Sequence, residues 1–383
     1  MITARIRLVL VAAMLAACGE QVHEPMRALP PPPREATRAE NVVWIVVDSL
    51  RADTVADPRE TPTFARLAER GTVFRARSAA TWCMPAVASM LTSLDPDRHH
   101  LTDVSATLSP AAWTLPEVLR CEGFETASFI SNGLLSDPFG FDQGWDRHVN
   151  YVRAGGSVAA DRVLDDALAW MALHTTRRFF VHAQLIDPYR AVVELASSVL
   201  ERGRPPIEAE IATLRARYAE AVRAVDAALA RFFEQLDALG LGASTLVVIT
   251  ADHGALLGEG GLLGTGVLLN EEHEELLDVP LLFVGPARPP ASDDVVSTRD
   301  LAPTVLEALG VAMPERFEGR SFGPRRLRAP EGPELEYVAP SVALTREDCP
   351  MVPGYGMPAC DELPTAEELR RDVEPLPHAP CLP

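Results

Sequence analysis

Two aspartates stand just past short runs of β-branched and apolar residues. Asp48 follows Asn41-Val42-Val43-Trp44-Ile45-Val46-Val47, and Asp252-His253-Gly254 comes just after Leu246–Thr250. A carboxylate that closes a buried hydrophobic run is costly unless a cation or a cap of backbone donors compensates it. Capping of a following helix accounts for either aspartate alone. The two together, with His253 beside the second, make a divalent-metal site: carboxylates favour Ca²⁺, Mg²⁺ or Mn²⁺, and the imidazole admits Zn²⁺. Asp48 is followed by Ser49-Leu50-Arg51-Ala52-Asp53, in which Arg51 and Asp53 are expected to pair.

These residues need a frame that brings strand ends together. Residues 41–47, 179–186, 246–250 and 280–284 are short apolar runs that read as strands buried on both faces. Between the second and third, Ile207 to Leu239 has apolar positions at helical spacing and stops at Gly240. Alternation of strands and helices predicts an α/β fold, a mostly parallel sheet sandwiched by helices. Ligands collect at the carboxyl ends of such strands, where Asp48 and Asp252 fall.

The chain has 383 residues, 54 acidic against 35 basic side chains and a formal charge of −19, which excludes a nucleic-acid-coating surface. Residues 1–18 form a targeting segment: Arg5 and Arg7, an apolar stretch from Leu8 to Leu15 too short to span a bilayer, then Leu15-Ala16-Ala17-Cys18. This resembles a bacterial lipoprotein signal. The resemblance implies that Cys18 is lipidated, that Gly19 gives no inner-membrane retention signal, and that the protein is exported and held to the cell envelope at the outer membrane. Residues 19–40, with Pro30 to Pro33, read as an extended tether. With Cys18 acylated, five cysteines remain in an oxidising compartment, so at least one thiol is unpaired. Cys83 is expected to be free, and Cys349 and Cys360 to close a loop with Cys381 competing.

In order along the chain, Asn41 to Asp53 (NVVWIVVDSLRAD), Thr61-Pro62-Thr63-Phe64, Ala88 to Arg98 (ASMLTSLDPDR), Thr250 to Gly254 (TADHG), Asp278-Val279-Pro280-Leu281 and Asp300-Leu301-Ala302-Pro303-Thr304 resemble the sulfatases of the alkaline phosphatase superfamily. The resemblance spans about residues 41–323 and leaves 324–383 as a short C-terminal annex, in which Leu335–Val338 and Ser341–Leu344 are candidate strands. It implies a doubly wound sheet and hydrolysis of a sulfate ester at one divalent ion, Ca²⁺ in the first place, held by Asp48, Asp252 and His253. Ser49 takes the place of a further aspartate. Cys83, in Cys83-Met84-Pro85-Ala86-Val87, falls where sulfatases carry the cysteine converted to formylglycine, whose hydrated aldehyde attacks sulfur. Such a nucleophile is held at a strand-to-helix turn, where the helix's first amides help to hold the anion. Asp226 matches a structural position.

The chain also departs from the pattern. Val87 replaces the signature Arg, and Ser128-Phe129-Ile130-Ser131-Asn132 occupies the stretch of the Lys-x-His element. Tyr189 follows Asp187-Pro188 where a substrate-binding His is usual, and Gly264–Leu269 offers no cation. Charged donors around the transition state are usually the largest catalytic contribution. Three readings therefore stand: a lipid-anchored sulfatase acting on a small-molecule or glycan ester; a phosphodiester or phosphonate ester hydrolase of the same superfamily; and a sulfatase-fold binding protein without turnover. His182 is read as a core imidazole, His99 and His100 as cations at a helix end, and Glu259, among Gly258, Gly260 and Gly261, as part of a mobile lid.

Overall fold

The computed structural model describes residues 38–156, 158–266 and 273–323. The signal segment with Cys18, residues 19–37 of the tether, Cys349, Cys360, Cys381 and the candidate strands of the annex lie outside the described residues.

β1 (Asn41–Val47) is buried at all seven positions, because helices cover both faces of the sheet it belongs to. It pairs in parallel with β5 (Phe179–Leu185) on one side and β6 (Thr245–Thr250) on the other. β3 (Glu125–Ile130) and β4 (Arg147–Asn150) extend the sheet beyond β5, again in parallel. On the far side of β6 lie β9 (Asp278–Val284), β2 (Thr72–Arg77) and β10 (Val295–Ser297), giving the order β10-β2-β9-β6-β1-β5-β3-β4. β9 alone runs antiparallel to its neighbours. After β6 the chain stays at the carboxyl end of the sheet through the small hairpin of β7 (Leu256–Leu257) and β8 (Leu263–Gly264), so β9 enters the sheet from that end.

The helices in chain order are α1 (Pro62–Arg70), α2 (Cys83–Thr92), α3 (Pro96–His99), α4 (Leu115–Cys121), α5 (Ala160–Leu173), α6 (Asp187–Glu201), α7 (Glu208–Ala238), α8 (Glu274–Leu277) and α9 (Leu301–Leu309). In α7, Ile211, Leu214, Tyr218, Val222, Val225, Leu229, Phe232 and Leu236 recur every three or four positions and all are buried, the stripe a surface helix turns to its core. None of the helices among the described residues is long and apolar enough to cross a membrane.

Two polar groups on that stripe tie α7 to the site-bearing end. The Tyr218 hydroxyl donates to the Ser49 carbonyl at 2.8 Å and accepts from the Arg51 amide at 3.0 Å, fixing the turn after β1. Asp226 is buried and accepts from the Thr63 and Phe64 amides at 2.9–3.0 Å, capping the start of α1 from outside that helix. Asp226→Ala orphans both amides; the expected cost is on the order of 2 kcal/mol, read as a lower denaturant midpoint with an unchanged slope.

Candidate active site

β1 and β6 end side by side, and the residues just beyond them converge. Asp48, Asp252 and His253 are buried and present ligand atoms that all lie within 4.8 Å of one another. His253 Nε2 is 3.4 Å from Asp48 Oδ1 and 3.8 Å from Asp252 Oδ1. His253 Nδ1 is 2.7 Å from the Gly254 carbonyl. A carbonyl only accepts, so Nδ1 donates and Nε2 is the ring atom turned to the carboxylates. Nε2 is buried with no hydrogen-bond partner in the described structure. An orphaned imidazole nitrogen beside two buried carboxylates is the donor set of a cation site, so these residues suit the single divalent ion of the sequence reading.

The turn after β1 is built for this convergence. Ser49 adopts φ 64°, an unusual left-handed conformation for a residue other than glycine. Its amide thereby points to Asp252 Oδ1 at 3.3 Å, and its hydroxyl donates to Asp48 Oδ1 at 3.0 Å. The His253 amide also donates to Asp252 Oδ1, at 2.9 Å. These donors do not offset the charge. Burial first, and the neighbouring Asp252 second, push Asp48 up to about 7, against the opposing pull of His253, Asn132 and Ser49.

Two side chains that the sequence reading did not single out complete the surround. Asn132, just past β3, donates to Asp48 Oδ2 at 2.7 Å and stands near enough to Cys83 to pull its thiol down. It is itself held, its Oδ1 accepting from the Leu134 amide at 2.9 Å. Gln184, in β5, donates from Nε2 to Asp252 Oδ2 at 3.1 Å. Their only sequence signal is an amide at or just past the carboxyl end of a buried strand. Cys83 is free and buried at the start of the fully buried α2. Burial first, then the Asp48 and Asp252 charges, hold its thiol well above the usual range. Asp48, Ser49, Cys83, Asp252 and His253 are thus brought together, whereas Tyr189 lies half-buried in the first turn of α6, beyond the end of β5.

Residues 40–311 match the sulfatase family. The chain belongs to that family. A low-salt glycan biosynthesis sulfotransferase, Agl7, from Haloferax volcanii is 26% identical over 71% of this chain and 61% of its own length; the chain thus spans less than two thirds of that relative. An ulvan-active sulfatase from Formosa agariphila is 24% identical over 82% of this chain and 69% of its own length. Among solved structures, a phosphonate monoester hydrolase from Silicibacter pomeroyi superposes with a TM-score of 0.61 at 20% identity, covering 73% of this chain and 75% of that one. The mostly parallel α/β sheet is the fold that this chain shares with that hydrolase.

Within this family the missing cations have a plain statement: the chain contains no lysine at all. Position 87 lies one helical turn from Cys83, and Val87 there is 1% exposed and packed in the core. Arg51 is the nearest arginine in sequence to Asp48, and its guanidinium is committed to Asp53 at 2.6 Å, Glu259 at 2.8 Å and the Ala255 carbonyl at 3.2 Å.

Two expectations are corrected here. Glu259 is not part of a loose lid, because Arg51 and the Leu257 amide (2.5 Å) both bind its carboxylate. His99 is not a helix-end cation. It is buried, its ring bonds Ser89 Oγ at 3.1 Å and accepts from the Leu101 amide at 3.1 Å, and burial lowers it to about 4. His182 is the core imidazole expected, stacked on Trp145 at 5.9 Å.

Gly254 explains why the motif ends as it does. Its amide donates to the Leu276 carbonyl at 2.8 Å, and a Cβ at 254 would stand 1.9 Å from the Glu275 carbonyl oxygen. Gly254→Ala must displace α8 or the triad strand-end; a melting temperature lower by roughly 5 °C is expected, together with weaker divalent-ion binding by calorimetry.

Proposed function

We propose that this chain is a divalent-metal-dependent sulfuric ester hydrolase, lipid-anchored through Cys18 to the bacterial envelope, with the residue at Cys83 as nucleophile. The observation that carries the reading is the convergence of Asp48, Asp252 and His253 within 4.8 Å of one another, beside Cys83, whose thiol feels the charges of both aspartates. The nucleophile position and the ion position thus share one site. Asp48, Asp252 and His253 hold the metal, Ca²⁺ first among candidates, with Ser49 as a neutral neighbour. When bound, the ion supplies positive charge against the ester oxygens.

The chain's own residues supply the rest. The start of α2 places residue 83 where free helix amides face an anion, and the first turn carries Pro85, which needs no hydrogen bond there. The surround that pushes the Cys83 thiol up disfavours a thiolate, and the thiolate is the reactive form of a cysteine. Conversion of Cys83 to formylglycine removes that difficulty, since a hydrated aldehyde offers an oxygen nucleophile. The ulvan-active relative makes sulfated glycans the first substrate class to try, and the general acidity of the chain favours substrates bearing few sulfates.

The test is the mass of the tryptic peptide Ser78–Arg98 from the exported protein. Loss of sulfur with gain of an aldehyde, together with release of sulfate from an aryl or glycan sulfate panel, is the expected result. An unmodified cysteine would set sulfate chemistry aside. The second reading then takes its place, motivated by the similarity to the phosphonate monoester hydrolase, and is tested on phosphonate and phosphodiester substrates with added Ca²⁺, Mn²⁺ or Zn²⁺.

A further inference from the structure

β4 is the edge strand beyond β3, and its last residue is Asn150. In register Asn150 lies beside Ile130, Ile130 beside Gln184, and Gln184 beside Val46. Residues paired across a parallel sheet point to the same face, so the amides of Asn150 and Gln184 stand in one cross-sheet row. That row lies two residues before the positions where β3 delivers Asn132 and β1 delivers Asp48. Gln184, from this row, already holds Asp252.

Asn150 is buried, and its Nδ2 donates to the Asn132 carbonyl at 2.9 Å and to the Leu135 carbonyl at 3.3 Å. Its Oδ1 accepts from the Arg153 amide at 3.3 Å, which sets the amide the right way round. The two carbonyls are the ends of a single turn. Across it the Leu135 amide donates to the Asn132 carbonyl at 3.2 Å, and the Leu134 amide donates to Asn132 Oδ1 at 2.9 Å. With Oδ1 bound inside the turn, the Asn132 side chain directs Nδ2 outward, to Asp48 Oδ2 at 2.7 Å. The position of the turn therefore sets the position of the amide on Asp48. On the preceding side the Ser131 amide donates to the Gln184 carbonyl at 3.2 Å, so β5 fastens residue 131 while Asn150 fastens residues 132 and 135.

We propose that Asn150 is a positioning residue of the metal site, holding from the edge strand the turn that lays Asn132 against Asp48. Asn150 touches neither the triad nor a substrate; it acts through Asn132. One row of the sheet thus serves both carboxylates, Gln184 directly on Asp252 and Asn150 at one remove on Asp48. Ligands of a metal depend on such outer partners for their orientation, and here the support reaches three strands away from the strand that carries Asp48. The inference rests on the divalent-ion reading of the triad.

The experiment is calorimetric titration of the full-length protein with Ca²⁺, and in parallel with Mn²⁺, on wild type, Asn150→Ala, Asn132→Ala and the double variant. Asn132, the direct partner of Asp48, is worth roughly tenfold or more in ion affinity. Asn150→Ala is expected to weaken binding about threefold to tenfold, and the double variant to bind no more weakly than Asn132→Ala alone. Melting temperature does not decide the matter, because loss of a buried donor lowers it whether or not Asn150 serves the ion. Non-additive loss of ion affinity is the readout that a purely structural role would not give. Where Asn150→Ala yields no folded protein, Asn150→Ser, which keeps a small polar side chain, carries the same comparison. Unchanged affinity in the Asn150 variant overturns the positioning role and leaves the metal reading standing, and so does a double variant whose loss is the product of the single ones. A wild type that binds neither ion removes the metal reading itself, and the positioning role with it.

Discussion

Cys83→Ala is expected to abolish ester hydrolysis, with kcat falling roughly 10⁴-fold or more on whichever sulfate ester the wild type cleaves, while divalent-ion binding persists. The two effects separate because the proposed function gives Cys83 the attacking atom and gives Asp48, Asp252 and His253 the ion. Cys83 lies in a fully buried first turn, and loss of one sulfur there leaves a small void worth about 1 kcal/mol. Melting should therefore shift by only a few degrees. Asn132→Ala is the informative companion: it removes the amide that donates to Asp48 and stands beside Cys83, and it should lower both ion affinity and kcat, each by roughly tenfold or more. Full turnover in Cys83→Ala would end the nucleophile assignment. Unchanged ion binding in Asn132→Ala would mean that its bond to Asp48 does nothing for the metal.

The weakness of the remaining anion clamp bears on how such an enzyme could work. With Val87 in the core and no lysine anywhere in the chain, positive charge on the substrate side must come from the ion, from helix amides at the start of α2, or from arginine and histidine. Fewer fixed cations mean less transition-state stabilisation and a slower enzyme. This favours an ester whose leaving group needs little help. The same substitutions do not touch the triad itself, because its geometry is set by β1, β6 and the Ser49 turn rather than by the lost cations.

The two aspartates and His253 were legible in the sequence because they stand just past two largely apolar strands, and two buried charges beside one imidazole are too costly to be incidental. The long α7 was legible for the same kind of reason: a three-four spacing over eight apolar positions has no other use. The central strands were readable as continuous apolar runs, but β2 was not, since its burial alternates between the faces of an outer part of the sheet. Nothing local marks β9 as antiparallel. Its direction follows from where residues 251–277 leave the chain, a tertiary fact that the apolar run at 280–284 does not carry. Asn132 and Gln184 escaped because an amide is cheap to place, and only the paired ends of β3, β5, β1 and β6 reveal that both face the same two carboxylates. The absence of lysine was in plain view as a count and gains meaning only once a charged clamp is expected.

Metal removal makes the sharpest test of the triad. In the ion-free protein Asp48 and Asp252 share a buried site whose donors do not neutralise them, and burial with the Asp252 charge raises Asp48 to about 7. In the unfolded chain the same carboxyl titrates near 4. Below that value Asp48 is protonated in both states and the fold keeps its full stability. As the pH climbs through about 7 the folded protein must carry the buried charge, and that stability is lost. Protein stripped with a chelator is therefore expected to melt at progressively lower temperature between about pH 4 and pH 8 on account of this group. Asp48→Asn removes the charge while keeping the shape. At pH 8 the ion-free variant should melt above the ion-free wild type, and near pH 4 the difference should vanish. Adding Ca²⁺ at about a hundred times its dissociation constant should restore roughly 2.7 kcal/mol to the wild type and nothing to Asp48→Asn. A variant that melts below the wild type at pH 8, or that Ca²⁺ still stabilises, would show that Asp48 serves the fold and not the ion.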